Sequence, residues 1–436
     1  MEETRQSPAP ASPAAELARA RCRTDAIWPL LRPEALLDRP IPHRHRFLFY
    51  LGHLEAFDWN LLGEGAVDPG LDSLFAFGID PDGGELPSDL PSDWPSPATV
   101  ARYARRARAA VDERLESASL DWVRLHAAIE HRLMHAETLA YMLRRLPVGR
   151  LSAAARGEDP PAAAGPFRTD GRAAIPAGAA TLGQPPGSGA FGWDNERPAH
   201  RVWVEPFQID VHDVTHRGFL RFVEEGGYQE RSLWSDHGWE WIRSHGIRHP
   251  ASWTPTARGW LWRGAFGVRP LPPDLPVWVS FAEASAYARW AGGRLPTEAE
   301  YHRAAFGTPW GEEREHPWGG SPPSARFGVF DFERWDPLPV GSRPGGDSAF
   351  GVADMVGNGW EWTSTPFAPF EGFAPSSFYP GYSADFFARD GRPPHRVLKG
   401  AGVRTAARLL RSSYRNWFQP HYPWVEGTFR TVEGTP

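Results

Sequence analysis

Two histidines four residues apart are the side chains of this sequence best placed to do chemistry. His131 and His135 lie in the run HRLMHAE. Residues four apart share one face of a helix, so both imidazoles can bind one metal ion. Glu137 lies off that face and either partners a ligand or caps a neighbour. The spacing indicates a metal site, although HxxxH pairs are common on helices and a structural role stays open.

A third histidine completes a candidate ligand set. His53 lies in the middle of the otherwise apolar run FYLGHLEAF. Three neutral imidazoles leave coordination positions open for substrate and oxygen, and they suit Fe(II), Zn(II) or Mn(II). Taken alone, His53 is more typical of a hydrogen-bonded core histidine. His43 and His45, next to Arg44 and Arg46, are expected to lie on solvated surface.

Helices are needed to hold these histidines, and the first third of the chain predicts four. Apolar residues recur at three- and four-residue steps, and several of the segments follow Ser, Thr, Asp or Pro. The segments are residues 16–31, 43–62, 96–117 and 119–146. Four such helices favour an up-and-down bundle, whose interior can hold a site built from facing side chains.

The sequence changes character near residue 160. An Ala-, Gly- and Pro-rich stretch without periodicity, ARGEDPPAAAG, is typical of a linker. Beyond it, short β-like runs such as HRVWVEPFQI alternate with turns, and FAEASAYARWA reads as a helix. We therefore predict an α+β protein. Its parts are a disordered lead (1–15), a helical bundle with the metal ligands (16–155), a linker (156–172) and a coil-rich domain (173–436).

Composition excludes several functional classes. Of the 436 residues, 41% are hydrophobic and 23% are charged, so a wholly disordered chain is excluded. The net charge of −6 argues against nucleic-acid binding, and the apolar runs are too short to cross a membrane. Glycine and proline number 44 and 45, and 13% of the residues are aromatic. These values favour loop-rich backbone packed around buried rings.

The cysteine content limits the redox chemistry. The single cysteine, Cys22, permits neither an intramolecular disulfide nor a copper site that needs two thiols. The first residues lack the apolar core of a signal peptide, so we expect a cytoplasmic protein. We also expect a monomer that acts on small molecules.

Several blocks of the sequence resemble a known pair of domains. The blocks of the second half resemble those of the formylglycine-generating (sulfatase-modifying factor) fold, which is C-type-lectin-like. In order they are NERPAHRVWVEPFQID, DVTHRGFLRFVEEGGY, WAGGRLPTEAEYHRAA, DMVGNGWEWT and VLKGAGVRT. The LGH and HxxxHxE patterns resemble the DinB-like helical bundle. Together the two domains resemble the iron-dependent sulfoxide synthases of ergothioneine and ovothiol biosynthesis, whereas formylglycine generation is excluded because it needs two active-site thiols.

The resemblance implies a metal centre and a reaction. His53, His131 and His135 fall on the family's three iron ligands. With Fe(II) as cofactor and O2 as co-substrate, the family's reaction forms a C–S or C–Se bond at carbon 2 of the imidazole of hercynine, a betaine. The C-terminal domain would then be the substrate and catalytic domain, and we expect the active site at the junction of the two domains.

The resemblance also implies residues of the C-terminal domain. A tyrosine would act as the catalytic proton donor, and Tyr379 and Tyr382 in FYPGYSADFF are the candidates, with Tyr379 preferred. Packing within the loop is the alternative for either ring. In the run YRNWF, Asn416 would contact hercynine, and Trp417 would wall its trimethylammonium group by cation–π attraction.

Three features depart from family members that use γ-glutamylcysteine. The stretch GGELPSDLPSDWPSP lacks the arginines that those enzymes carry there. Phe418 and Tyr422 stand where they place an acid and an arginine, and Met134 replaces a glutamine that touches the acceptor. A carboxylate-rich donor would therefore lose its bidentate partners.

The remaining side chains predict a different donor. A pocket of Phe418, Tyr422 and Trp424, with Asp89 or Asp93, suits a neutral hydroxylated molecule, because sugars stack on rings and hydrogen-bond to carboxylates. In this respect the chain resembles the selenoneine synthases of the family, which join a selenosugar to hercynine. Two alternatives stay open: a sulfoxide synthase that uses cysteine or γ-glutamylcysteine, and a non-catalytic ligand-binding module with structural histidines.

Overall fold

Two compact units make up the chain. The computed structural model describes residues 12–76, 89–116, 121–156, 171–185, 187–386 and 393–434. The predicted lead of residues 1–15 and linker of residues 156–172 fall mostly outside this part of the chain. The N-terminal unit takes in the residues up to Leu139 and residues 149–155. The C-terminal unit takes in the rest, which includes residues 140–148.

The N-terminal unit is helical, as the periodicity predicts. Its helices are α1 (Pro13–Asp25), α2 (Phe47–Leu62), α3 (Pro69–Phe75), α4 (Pro97–Glu116) and α5 (Trp122–Arg145). The short helix α3 is too brief to show a period and is absent from the prediction, although Asp68 caps it by accepting from the backbone N–H of Leu71. Helix α1 begins before residue 16 and ends earlier than predicted. The last turn of α5 belongs to the C-terminal unit.

A buried cluster of charged side chains joins three of these helices. Arg132 of α5 is 1% exposed and donates to the Leu54 carbonyl (2.9 Å) and to the carboxylates of Asp58 (2.5 Å) and Glu55 (3.1 Å). Arg108 of α4 also donates to Glu55 (2.5 Å). Burial raises the pKa of Asp58 to about 6. For Glu55 the effect of burial is outweighed by Arg132 and Arg108, which hold its pKa below the usual value.

The C-terminal unit mixes short helices and strands with much coil. Its helices are α6 (His216–Glu224), α7 (Asp236–Ser244), α8 (Phe281–Trp290) and α9 (Glu298–Phe306). Its strands are β1 (Arg172–Ile175), β2 (Gly178–Leu182), β3 (His200–Val204), β4 (Phe207–Asp210), β5 (Trp253–Thr256), β6 (Gly259–Arg263), β7 (Val268–Pro270), β8 (Gly293–Arg294), β9 (Gly359–Pro366), β10 (Arg396–Ala401), β11 (Asn416–Phe418), β12 (Gly427–Thr428) and β13 (Val432–Glu433). A helical first part followed by this mixed part confirms the predicted α+β class.

One sheet of the C-terminal unit carries the candidate acceptor residues. Its strand order is β11-β10-β9-β12, so β11 lies at an edge, antiparallel to β10. Trp362 of β9 is fully buried. Arg430 is also fully buried and pairs with Glu361 of β9 (2.6 Å) and with Asp213 (3.3 Å). Among the helices that the structure describes, none is long and apolar enough to cross a membrane.

We expect Arg132→Met to lower the free energy of unfolding by about 3–5 kcal/mol, because two buried carboxylates lose their cation. Arg124, beside Asp121 on an exposed part of the same helix, offers a matched control. Arg124→Met should change the free energy by less than about 1 kcal/mol. Urea unfolding followed by circular dichroism measures both variants, and equal losses would contradict a special role for the buried cluster.

Candidate metal centre

Three imidazoles from α2 and α5 converge on one point. His53 lies in the middle of α2, and His131 and His135 lie one turn apart on α5. The Nε2 atoms of His53 and His131 are 3.3 Å apart, and those of His131 and His135 are 3.1 Å apart. Within the described parts of the chain, this is the one group of three potential metal ligands so closely spaced.

The buried cluster sets the two helices in register beside the histidines. His53 immediately precedes Leu54, and His131 immediately precedes Arg132. Arg132 donates to the Leu54 carbonyl, so the two positions next to the histidines are in direct contact. The neighbouring imidazoles are thereby brought together by a contact that does not involve them.

A backbone carbonyl fixes the tautomer of His53. Its Nδ1 lies 2.8 Å from the carbonyl oxygen of Phe75, at the end of α3. A carbonyl can only accept, so Nδ1 carries the proton and Nε2 carries the lone pair. Gly52 permits this approach, because a Cβ there would lie 2.7 Å from the Phe75 ring. Partners of this kind orient metal-binding histidines.

All three imidazoles are neutral near pH 7. Burial lowers the pKa of His53 to about 4. Burial, reinforced by neighbouring imidazoles, also lowers the pKa values of His131 and His135 well below their usual value. Phe57 stacks on His131 with ring centroids 3.4 Å apart, and Phe49 stacks on His53 at 4.8 Å. The result is an apolar pocket lined by neutral nitrogen atoms.

The nitrogen spacing fits a single metal ion. Two nitrogen ligands about 2.1 Å from a metal lie about 3.0 Å apart at a right angle and about 3.4 Å apart at a tetrahedral angle. The observed separations of 3.1 and 3.3 Å fall in this range. Lone pairs at this distance repel unless a proton or a cation lies between them. The donor set suits Fe(II), Zn(II) or Mn(II).

Met134 and Glu137 lie on the same helix as two of these histidines. Met134 is half-buried one position before His135, and its carbonyl accepts from the Thr138 hydroxyl (3.1 Å). Glu137 is buried. Both side chains are thus close in sequence to the imidazoles without belonging to the converging group.

Asn416 and Trp417 lie on the edge strand β11 of the C-terminal unit. The Trp417 ring stacks on Phe367 with centroids 4.3 Å apart, and its Nε1 donates to the Asp385 carboxylate (2.8 Å). The Asn416 side-chain oxygen accepts from the backbone N–H of Trp417 (3.0 Å). Strand pairing, stacking and hydrogen bonding therefore fix the orientation of the indole.

The two candidate tyrosines lie in one loop of the C-terminal unit. Their ring centroids are 5.8 Å apart, and both rings are half-buried. Tyr382 stacks on Trp193 at 4.0 Å and meets the Trp417 ring edge-on at 5.2 Å. The structure thus brings Tyr382 to the predicted acceptor residue and Tyr379 to Tyr382.

The predicted donor aromatics gather around the last turn of α5, within the C-terminal unit. Phe418 stacks on Tyr422 at 4.9 Å, and the Tyr422 hydroxyl lies 3.4 Å from that of Tyr141. The Arg145 guanidinium lies over the Trp424 ring at 4.3 Å. The roles of Tyr141 and Arg145 could not be predicted from the sequence, because their partners are distant along the chain. An arginine therefore lies beside the group of rings after all.

Asp89, which is predicted to bind a sugar hydroxyl, is paired with two arginines and a tryptophan. Arg46 Nε donates to one carboxylate oxygen (2.8 Å), Arg39 pairs with the other, and the Trp94 indole adds a hydrogen bond of 2.6 Å. Asp93 is exposed and caps a short turn. The stretch that contains Asp89 has no arginine of its own. Asp89 nevertheless pairs with Arg39 and Arg46, which precede α2 in the chain.

His45 is buried, so the expectation of a solvated side chain is wrong. It is 5% exposed, and neither ring nitrogen has a hydrogen-bond partner among the described residues. His43, two residues earlier, is exposed as predicted. The arginines on either side of His45 predict that this segment is exposed to solvent. Arg46 is itself buried, however, because Asp89 pairs with it.

Comparison with known proteins identifies the family. Residues 158–434 match the sulfatase-modifying factor enzyme 1-like domain, which confirms the predicted fold of the C-terminal part. The chain is 35% identical over 391 residues to hercynine oxygenase of Mycolicibacterium thermoresistibile, covering 86% of this chain and 83% of that protein. It is 41% identical over 231 residues to hercynine oxygenase of Mycobacterium tuberculosis, covering 52% of each.

A fungal relative extends the comparison over more of the chain. Ergothioneine biosynthesis protein 1 of Neurospora crassa is 28% identical over 492 aligned residues, which cover 91% of this chain and 54% of that protein. The match to the first relative spans both the helical part and the C-terminal domain. The chain therefore belongs to the ergothioneine sulfoxide synthase family.

Proposed function

We propose that this protein is a non-heme Fe(II)- and O2-dependent synthase that joins a selenium or sulfur donor to carbon 2 of the imidazole of hercynine. The observation that carries the proposal is the convergence of three neutral imidazoles on one point. Relatives named hercynine oxygenase, 35% and 41% identical, support hercynine as the acceptor. A non-catalytic binding module has no need of such a converging nitrogen set.

His53, His131 and His135 would hold the iron. When bound, Fe(II) would supply the redox chemistry that uses O2 and would lower the pKa of the donor thiol or selenol. The protein's own contribution is to present three lone pairs from an apolar pocket. The Phe75 carbonyl holds His53 in the required tautomer, so this ligand needs no proton loss before it binds.

The proposed reaction balances with O2 as the only oxidant. The C–H bond at carbon 2 of hercynine and the Se–H or S–H bond of the donor both break, and their hydrogens leave as one water molecule. A bond forms between that carbon and the selenium or sulfur. The second oxygen atom ends on the selenium or sulfur, so the substrates lose four electrons and O2 accepts four.

Residues of the C-terminal unit would bind hercynine and deliver a proton. Trp417 offers an oriented indole for the trimethylammonium group, and Asn416 offers its side-chain amide. Met134 would contact the acceptor from α5. The packing of Tyr382 on Trp193 suits a wall of the acceptor site, and this leaves Tyr379 as the proposed proton donor.

A selenosugar is the proposed donor. The stacked rings of Phe418 and Tyr422 suit the face of a sugar. Arg39 and Arg46 are engaged by Asp89, so they do not offer a free fork to a carboxylate-rich thiol. Arg145 favours an acidic donor instead, because its cation lies beside Trp424. The family relationship also keeps a sulfoxide synthase that uses γ-glutamylcysteine or cysteine as the second candidate.

Removal of one ligand should abolish iron binding and turnover together. We expect His131→Ala to hold far less than one iron per chain after anaerobic reconstitution and to form no product from hercynine. His126, half-buried on the same helix but outside the converging group, gives the control His126→Ala. Elemental analysis and mass spectrometry of the products measure the two effects. Stoichiometric iron in His131→Ala would refute this ligand assignment.

We expect a methyl group added at Gly52, which is not a metal ligand, to weaken metal binding. Gly52→Ala would push the Phe75 ring and with it the carbonyl that orients His53, so Fe(II) affinity should fall by about 10–100-fold. Gly70→Ala is the control, because the nearest atom to its Cβ, on Asp68, lies 3.7 Å away. Anaerobic competition with a chelator measures both. Native affinity in Gly52→Ala would show that the Phe75 contact does not tune the ligand.

Competition between donors tests the substrate assignment. Reconstituted enzyme with hercynine and O2 receives a selenosugar, γ-glutamylcysteine and cysteine together, and we expect a selenium-bearing product to dominate the mass spectrum. A sulfoxide from γ-glutamylcysteine would reject the selenosugar and keep the reaction type. Absence of any product, together with absence of stoichiometric iron, would favour the non-catalytic binding module.

A further inference from the structure

One buried histidine outside the metal centre lacks partners for both ring nitrogens. His45 lies just before α2 and is 5% exposed, and neither Nδ1 nor Nε2 bonds to any described residue. A buried donor and a buried acceptor without partners both cost stability. Such a side chain is therefore a candidate for binding a molecule that is not part of the chain.

His45 lies close to the candidate metal centre. Its ring centroid is 4.3 Å from that of Phe49, and the Phe49 ring stacks on His53 at 4.8 Å. Tyr50, whose ring lies 6.5 Å from His45, also lies 5.3 Å from His135. The Phe49 ring thus lies between His45 and the metal ligand His53.

The hydrogen-bonding groups of His45 suit a hydroxyl-bearing ligand. Burial lowers the pKa of His45 to about 4, with Asp89 opposing this effect and Arg39 and Arg44 adding to it. The neutral imidazole has one N–H donor and one lone pair. A hydroxyl can accept from the N–H or donate to the lone pair, whereas a carboxylate can only accept. Asp89 pairs with both Arg39 and Arg46, so these charged groups are already engaged with one another.

We propose that His45 binds a hydroxyl group of a sugar-type donor and thereby selects it over acidic thiols. The inference rests on the proposed function only in identifying this sugar with the donor. Recognition of a hydroxylated ligand by His45 needs no turnover, so binding can be measured separately from catalysis. The site consists of His45 with the Phe49 ring beside it and the Asp89–Arg39 pair nearby.

Anaerobic calorimetry on the full-length, iron-reconstituted chain tests the proposal, with β-thioglucose and γ-glutamylcysteine as probes. We expect His45→Phe to weaken β-thioglucose binding at least tenfold and to leave γ-glutamylcysteine binding and iron content unchanged. His45→Asn and His45→Gln place an amide near Nδ1 and Nε2 respectively, so one of them should recover part of the affinity. His43→Phe, at the exposed neighbour, should change nothing.

The outcomes separate this inference from the proposed function. Unchanged β-thioglucose affinity in His45→Phe, or no binding to the unaltered chain, would overturn the role of His45 even if turnover is normal. Binding that depends on His45 would support it even if no product forms with hercynine and O2, a result that would reject the proposed function alone. We expect the thermal unfolding midpoint of ligand-free His45→Phe to equal or exceed that of the unaltered chain. If the midpoint is lower, the His45→Asn and His45→Gln variants still test the role of His45.

Discussion

The geometry of the candidate metal centre depends on the contacts of the Arg132 guanidinium. Its planar fork bonds both a backbone carbonyl and two carboxylates of α2, so it fixes the rotation and the height of α5 against that helix. Hydrophobic packing alone tolerates small slips between helices, whereas these directed bonds do not. Because His53 and His131 each precede a partner in this contact, a slip would separate their nitrogens.

Buried polar groups of two kinds meet in the N-terminal unit. Around Arg132 they are paired, which holds the helices together. At His131, His135 and His45, ring nitrogens lack a hydrogen-bond partner among the described residues. Such groups lower stability, and folds retain them where a ligand completes the bonding. The paired cluster around Arg132 thus stabilises a helical region whose other buried polar atoms are placed to bind a ligand.

The local part of this arrangement could be predicted from the sequence, and the long-range part could not. A four-residue spacing on a periodic helix places His131 and His135 together without knowledge of the fold. His53 is a weaker candidate from the sequence alone, since a single histidine in an apolar run has no distinguishing pattern, and the family resemblance strengthens it. The pairing of Arg46 with Asp89 joins residues 43 positions apart and reverses the expected exposure of His45. Tyr141 and Tyr422, 281 positions apart, leave no local signal at all.

Under the proposed function, the choice of donor depends on which cations are already engaged. Arg39 and Arg46 are bound to Asp89, and an acidic thiol that recruited them would leave this carboxylate poorly paired. Separating a largely buried ion pair is costly, so such a donor starts at a disadvantage. A hydroxylated donor requires no exchange of partners, because the neutral imidazole of His45 offers a donor and an acceptor that no described residue uses. Under this proposal, the pairing of both arginines with Asp89 therefore disfavours an acidic donor and is compatible with a neutral one.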